Sequence, residues 1–285
     1  MLKTPLASPD AAQTVRYAMV TQGAVPDNVI ELSSRRKRDF VVTVDKVADS
    51  LNSPFHCLAS DGKKYWCKQV SGSSGETEVV NEVVASQIGR RLGAPMRPWK
   101  ILDIPLDLVH SWAGNDSVNR YRIKSEPVFA SEEVHDAVHS YFVEELSKDG
   151  NYERFPLLIS TWLLCNAQDV QLLYDANADM SVWSVDHGFW FGSQDIPWNL
   201  AGPDRRAGIP NMPSPHGEIP AKHWNAAKRA VESLDASVLD DVTSTIPEEW
   251  PVSPEKCAEL VNYAVGRKNY TLARLDELQQ ASTRR

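Results

Sequence analysis

Residues 162–188 read WLLCNAQDVQLLYDANADMSVWSVDHG, and the way this stretch breaks decides the fold. Leu157, Leu158, Thr161, Trp162 and Cys165 recur at helical spacing, so a buried helix is expected over Phe155 to Cys165, stopping at the polar run Asn166-Ala167-Gln168-Asp169. Leu172-Leu173-Tyr174 and Val182-Trp183-Ser184-Val185 read as two short strands, and Asp175 to Met180 between them is rich in turn formers and acids. A hairpin of these strands carries Gln171 close to Asp186. Asp169 then sits just past a helix end, near both.

Two oxygen-bearing side chains at strand ends, with a third acid on the preceding loop, suit a hard cation such as Mg²⁺ that keeps part of its water shell. This is equipment for phosphate chemistry. Phosphoryl-transfer sites of the protein-kinase type use an acid to receive the acceptor's hydroxyl proton, an amide a few residues on to hold metal, and a second acid before a glycine to hold metal again. Asp169, Gln171 and Asp186-His187-Gly188 follow that order.

Outward from this stretch, the front half supplies a cation. Phe55-His56-Cys57-Leu58-Ala59 and Tyr65-Trp66-Cys67-Lys68-Gln69-Val70 flank the turn signal Asp61-Gly62, which predicts an antiparallel hairpin with Lys68 on its second strand. Alternation places Trp66, Lys68 and Val70 on one face, so Lys68 is the charge on an otherwise apolar side and needs an anionic partner. Ser73 with Glu76 fits a capping box. Val80, Val84, Ile88 and Leu92 then make a helix that Gly93-Ala94-Pro95 ends. Glu82 lies off that stripe beside Asn81, and a strand lysine paired with a helix glutamate is how such sites orient the α- and β-phosphates of a nucleotide.

Between the first strands, Asp49-Ser50-Leu51-Asn52-Ser53-Pro54 offers backbone amides with Asn52 and Ser53 side chains as an anion nest, although no GxGxxG motif occurs. Ile101 to Ile104 and Arg120 to Lys124 read as strands. Ser125 to Val128 is the expected passage between two lobes, where backbone groups would meet an adenine. Trp190, Phe191 and Trp198 fall in a loop-like segment reaching about Pro220 and are expected to fill core rather than floor a peptide site. Three amphipathic stripes follow: Leu234 to Val242, Cys257 to Val265, and Leu272 to Leu278. His135 and His139 are four apart, as on one face of a helix, but lack a third ligand.

Composition sets outer bounds. The chain has 285 residues, 42% hydrophobic and 24% charged, and can bury a substantial core. The formal net charge of −8 argues against wholesale binding to nucleic acid or anionic lipid, despite the local cluster Arg35-Arg36-Lys37-Arg38. No apolar run long enough to span a membrane occurs, and the start lacks a secretion signal's apolar core, so a cytoplasmic location is expected. Cys57, Cys67, Cys165 and Cys257 form no CxxC pair and are expected as reduced core thiols.

Tyr65-Trp66-Cys67-Lys68, Asn81-Glu82-Val83-Val84-Ala85 leading to Arg91-Leu92-Gly93-Ala94-Pro95, and Trp183-Ser184-Val185-Asp186-His187-Gly188 together resemble the HipA-like serine/threonine kinase family. The likeness runs from about residue 38 to the C-terminal helix and includes Ile246-Pro247-Glu248-Glu249-Trp250. The resemblance implies a two-lobed α+β protein-kinase-like fold, with a small β-rich N-lobe over residues 31–128 and a larger, mainly helical C-lobe over 129–285; residues 1–30, polar, proline-dotted and weakly periodic, read as an N-terminal arm. It implies ATP and Mg²⁺ as cofactors, a protein substrate, and an antitoxin or other regulatory protein as a partner. By position it implies Lys68 at the ATP phosphates, Glu82 as its partner, Asp169 as catalytic base and Asp186 as metal ligand.

The chain also departs from that family. The usual loop carries an arginine after the catalytic acid and a metal-binding asparagine further on, whereas Asn166-Ala167-Gln168-Asp169-Val170-Gln171 is shorter and has no arginine. Gln171 through its amide oxygen, or Asp175, stands in for that asparagine. A slow or transfer-silent relative that only binds nucleotide is the alternative expectation. A phosphoinositide-type kinase is a third, which the acidic balance disfavours.

Overall fold

The computed structural model describes residues 38–48, 53–70, 75–113 and 121–283. The expected arm over 1–30, Asn52 and the proposed cap Ser73 lie outside them. The first half builds an antiparallel sheet of β1 (Val41–Val47), β2 (Phe55–Ala59), β3 (Lys64–Lys68), β4 (Trp99–Leu102) and β7 (Val128–Glu132), in the order β1-β2-β3-β7-β4. The β2–β3 hairpin is as expected, with Phe55 opposite Cys67 and His56 opposite Trp66. A short ribbon of β5 (Trp112–Ala113) and β6 (Tyr121–Arg122) stands where the sequence suggested one longer strand.

Alternation along β3 is real, and both of its faces meet apolar partners, the Tyr65 face being the more tightly sealed. Tyr65 and Cys67 are buried with Phe55, Cys57, Val128 and Ala130 in one core, whereas Trp66 and Lys68 are half-buried on the opposite face. Cys57 and Cys67 meet there as free thiols with sulfurs 3.3 Å apart. On the other face Trp99, Ile101 and Phe129 pack with α1 (Thr77–Leu92) in a second, larger core.

Val80, Val84, Ile88 and Leu92 are all buried, but so are Val79 and Val83, because α1 is enclosed on nearly every side. It packs against β7 and against α2 (Asn151–Leu164), α3 (Ala221–Ser233), α4 (Val238–Thr243) and α5 (Pro254–Gly266). Gly93 ends it in the left-handed conformation (φ 77°), a conformation glycine adopts without a Cβ penalty. The helix begins at Thr77 with Glu76 as its cap and no side-chain capping bond.

The chain leaves the first sheet after β7, so the passage between the two parts runs through Glu133 to Asp136 and not through Ser125 to Val128. Pro127 and Val128 are instead buried at the start of a central strand. The second part opens with β8 (Ala137–Ser140), which edges a three-stranded antiparallel sheet completed by β9 (Gln171–Asp175) and β10 (Ser181–Val185). His139 is therefore on a strand and His135 in a turn, not on a shared helical face. A helical layer of α2 to α5 and α6 (Lys268–Thr283) completes it.

Helix α2 starts about a turn earlier than its apolar pattern suggested and ends as expected, before Asn166. Helix α3 was not expected, although Trp224, Ala227 and Val231 form its buried stripe. Trp190 and Phe191 are fully buried, in keeping with a core role. Among the described residues no helix is long and apolar enough to cross a membrane.

Candidate active site

Two acids of the site owe their position to sharp backbone breaks. Asp169 follows the end of α2 at φ 51°, and Asp186 follows the end of β10 at φ 59°. Both angles are left-handed, a region that asparagine and aspartate tolerate better than most residues but still at a cost. The β9–β10 register sets Gln171 opposite Val185, so its side chain stands next to Asp186. Its Nε2 donates to Asp186 Oδ2 at 2.9 Å and to Asp169 Oδ2 at 3.1 Å. Three residues from two loops and a strand thus converge as the sequence suggested.

The front sheet delivers the cation to the same point. Lys68, at the end of β3, donates to Glu82 Oε1 at 2.6 Å and also pairs with Asp186. Burial alone would push the Glu82 carboxyl up; Lys68 and His187 outweigh it and hold the group at about 2. Lys68 shows the mirror case. Burial would lower its ammonium, but Asp186 and Glu82 raise it well above the ordinary lysine value.

Helix α1 also grips the loop that carries Asp186. The His187 amide donates to Glu82 Oε1 at 2.9 Å, and its ring Nδ1 stands 2.8 Å from Glu82 Oε2. Asn81, fully buried, donates through Nδ2 to the carbonyls of Gly188 (2.7 Å) and Trp190 (3.0 Å), and accepts from Trp198 Nε1 at 2.8 Å. A Cβ on Gly188 would come 3.2 Å from Glu78 Cγ, so this glycine lets the loop lie close against the start of α1.

A cleft of about 440 Å³ opens over these groups. Its lining includes the polar Lys68, Gln171 and Asp186 and the apolar Trp66, Phe129 and Val134. Arg97 clamps the passage between the parts, donating to the carbonyls of Glu132 (2.8 Å) and Glu133 (2.6 Å). Ser53 precedes Pro54, which lines the cleft; Asn52 lies outside the described residues. Asp175 sits at the far end of β9, where it caps a turn by accepting from the Asn177 amide. Four residues of strand, roughly 13 Å, separate it from Gln171. Asp175 is therefore out of reach as a metal ligand.

Two residues of the site were missed in the sequence. His139 Nε2 stands 3.0 Å from Gln171 Oε1 and lines the cleft. His187 was passed over although it lies inside the Asp186-His187-Gly188 triplet.

A β-rich front part, a largely helical rear part and a lysine–glutamate pair facing an acid across the cleft define a kinase-type phosphotransferase fold. The HipA-like kinase family matches residues 41–196, and the chain belongs to that family. Its course is also similar to solved structures: the Golgi casein kinase (TM-score 0.48, 10% identity, 85% of this chain and 75% of that one), and the same kinase with Mn/ADP bound (0.46, 11%, 85% and 73%). A third is the Helicobacter pylori proinflammatory kinase CtkA (0.46, 14%, 85% and 96%). No curated protein matches the chain significantly.

Proposed function

We propose that this chain transfers the γ-phosphate of ATP, with Mg²⁺, to a serine or threonine hydroxyl of a protein or of itself. The observation that carries the reading is that Lys68, held by Glu82, stands against Asp186, which Gln171 ties to Asp169. The cleft could take a nucleotide: apolar Trp66, Phe129 and Val134 line it for a base and Lys68 for phosphates, and its volume lies within the ~300–1,000 Å³ of ligand pockets. Among the described residues no cluster of three or more His, Cys, Asp or Glu could hold a metal by itself. That suits Mg²⁺, which is commonly held by one or two carboxylates together with the substrate's phosphates.

In this reading Lys68 binds the phosphate oxygens and Glu82 fixes its direction. Asp186 and Gln171 would hold the metal, which supplies charge neutralisation as the phosphoryl group moves. Asp169 orients the acceptor hydroxyl and takes its proton. Trp66, Phe129 and Val134 would give the base apolar cover. The acceptor is a protein rather than a lipid headgroup, in keeping with the net charge of −8.

One observation favours a second reading, a nucleotide-binding relative with little transfer. Gln171 presents its N–H₂ group to both acids and its oxygen to His139, so it must turn over before that oxygen can face a metal. Incubation with labelled ATP and Mg²⁺ separates the two. Label incorporated by the wild type and lost in folded Asp169→Ala and Asp186→Ala supports transfer. Tight Mg-ATP binding without any incorporation sustains the second reading, and neither binding nor incorporation ends both.

A further inference from the structure

A second cavity, of about 350 Å³, opens directly on Asp169 and shares Tyr141 with the nucleotide cleft, while Lys68, Gln171 and Asp186 line only the cleft. Its lining is mixed: Tyr141, Phe142, Val170, Met212 and Pro213 supply an apolar side, and Asn211, Ser214 and His216 join Asp169 as polar groups. Tyr141 and Phe142 are 52% and 56% exposed, an unusual outlay of aromatic surface beside a catalytic acid.

Both walls are fixed to the elements that carry the chemistry. The Asn211 amide donates to Ala167 O at 2.9 Å and Gln168 Nε2 to Ile209 O at 3.2 Å, so the segment with Met212 and Pro213 is pinned to the break that holds Asp169. Opposite, the Phe142 amide donates to Ser140 Oγ at 3.0 Å, and its carbonyl accepts from Tyr174 Oη at 2.8 Å. Asp169 is the one carboxylate among the lining residues, and no lysine or arginine lines the cavity.

We propose that this cavity receives the acceptor segment of the protein substrate, with the hydroxyl at Asp169 and a bulky apolar side chain beside it between Phe142 and Met212. The proposal rests on the phosphotransfer reading and adds the substrate class: serine or threonine next to a large aliphatic or aromatic residue. An acidic neighbour is disfavoured by the Asp169 charge, and a basic one finds no second carboxylate to pair with. The cavity's size favours a few residues of extended chain over a second nucleotide.

The test uses the full chain and short synthetic peptides that carry one serine next to leucine, glycine, aspartate or lysine. With Mg-ATP, kcat/KM for the leucine peptide is expected to exceed that for the glycine peptide roughly tenfold to a hundredfold, the effect of burying one large apolar side chain. Met212→Glu and Phe142→Ser should raise KM for the leucine peptide more than they lower kcat, with Mg-ATP affinity reporting that each variant is folded. In a separate arm the leucine is replaced by p-benzoylphenylalanine, and the photo-crosslink is mapped by mass spectrometry; Met212, Phe142 or Pro213 is the expected partner. Equal turnover of the leucine and glycine peptides, or crosslinks mapping elsewhere, overturns the proposal while leaving phosphotransfer standing. Crosslinks at Met212 with no peptide or self labelling keep the groove and overturn phosphotransfer, and failure of both arms removes both.

Discussion

Glu82 and His187 meet at 2.8 Å, Oε2 to Nδ1, on the side of the carboxylate away from Lys68. The glutamate is thus held by a strand cation and by the residue that follows the putting-down point of Asp186. One carboxylate on α1 therefore sets the direction of the lysine and the position of the loop together.

Replacing His187 with phenylalanine keeps a ring against Trp190, whose centroid is 4.3 Å away, but removes the imidazole's contacts with Glu82 and with Ser184 Oγ. Loss of one such contact to a buried charge is expected to lower stability by about 1–3 kcal/mol and to weaken Mg-ATP binding roughly tenfold. His187→Gln, whose amide N–H can be offered to the carboxylate, should recover part of both. Thermal unfolding and nucleotide titration of the two variants check this, and a phenylalanine variant that matches the wild type while the glutamine variant falls short would show that the ring contact alone matters.

Asn81 meets four partners from the loop after Asp186, Ser193 Oγ among them, and is fully buried, so Asn81→Leu strands the carbonyls of Gly188 and Trp190 and the indole of Trp198. A loss of about 2–4 kcal/mol is expected in urea unfolding. Amide exchange should quicken from Gly188 to Trp198 before it does elsewhere. Uniform exchange across the chain would count against a local role.

The Lys68–Glu82 pair gives stability a defined acid limb. Glu82 titrates at about 2 in the folded chain against an ordinary value of 4.5, so the unfolded chain binds the extra proton and the gain is complete above pH 4.5. It is lost as pH falls toward 2, and its size is on the order of 3 kcal/mol. The raised Lys68 acts oppositely: its contribution is complete below 10.5 and is lost only as pH rises above that. The melting temperature of the wild type should therefore drop between pH 5 and 3 more than that of Glu82→Gln. Parallel curves would show that the pair is not linked to folding.

Asp169 adopts φ 51° while largely exposed, a conformation glycine takes without penalty. Asp169→Gly is expected to be at least as stable as the wild type, and Asp169→Ala less stable by about 1 kcal/mol. Neither should transfer phosphate. An alanine variant more stable than the glycine variant would remove backbone strain from the account of this site.

Local pattern made much of this site legible. The β2–β3 hairpin, the α1 stripe and the break at Asn166 are each specified within a dozen or so neighbouring residues, and with them Lys68, Glu82, Asp169, Gln171 and Asp186. What escaped depends on distant packing. Alternation showed that Tyr65 and Trp66 face opposite ways, but only the assembled sheet decides that the Tyr65 side is the sealed one. His135 and His139 looked helical because their spacing fits a helix; β8 exists because Ala137 to Ser140 pair with β9. The passage between the parts was misplaced because β7 runs on to Glu132 as a central strand between β3 and β4.

The burial of α1 has a practical consequence. Arg91 pairs with Asp241 at 2.6 Å, Gln87 donates to Thr245, and the Trp250 indole donates to Pro127 O at 2.7 Å. A fragment cut where the family match stops, at residue 196, would strip the casing from a helix that is buried on nearly every side. The borders of recognisable ancestry are not the borders of a piece that can be expressed and purified alone.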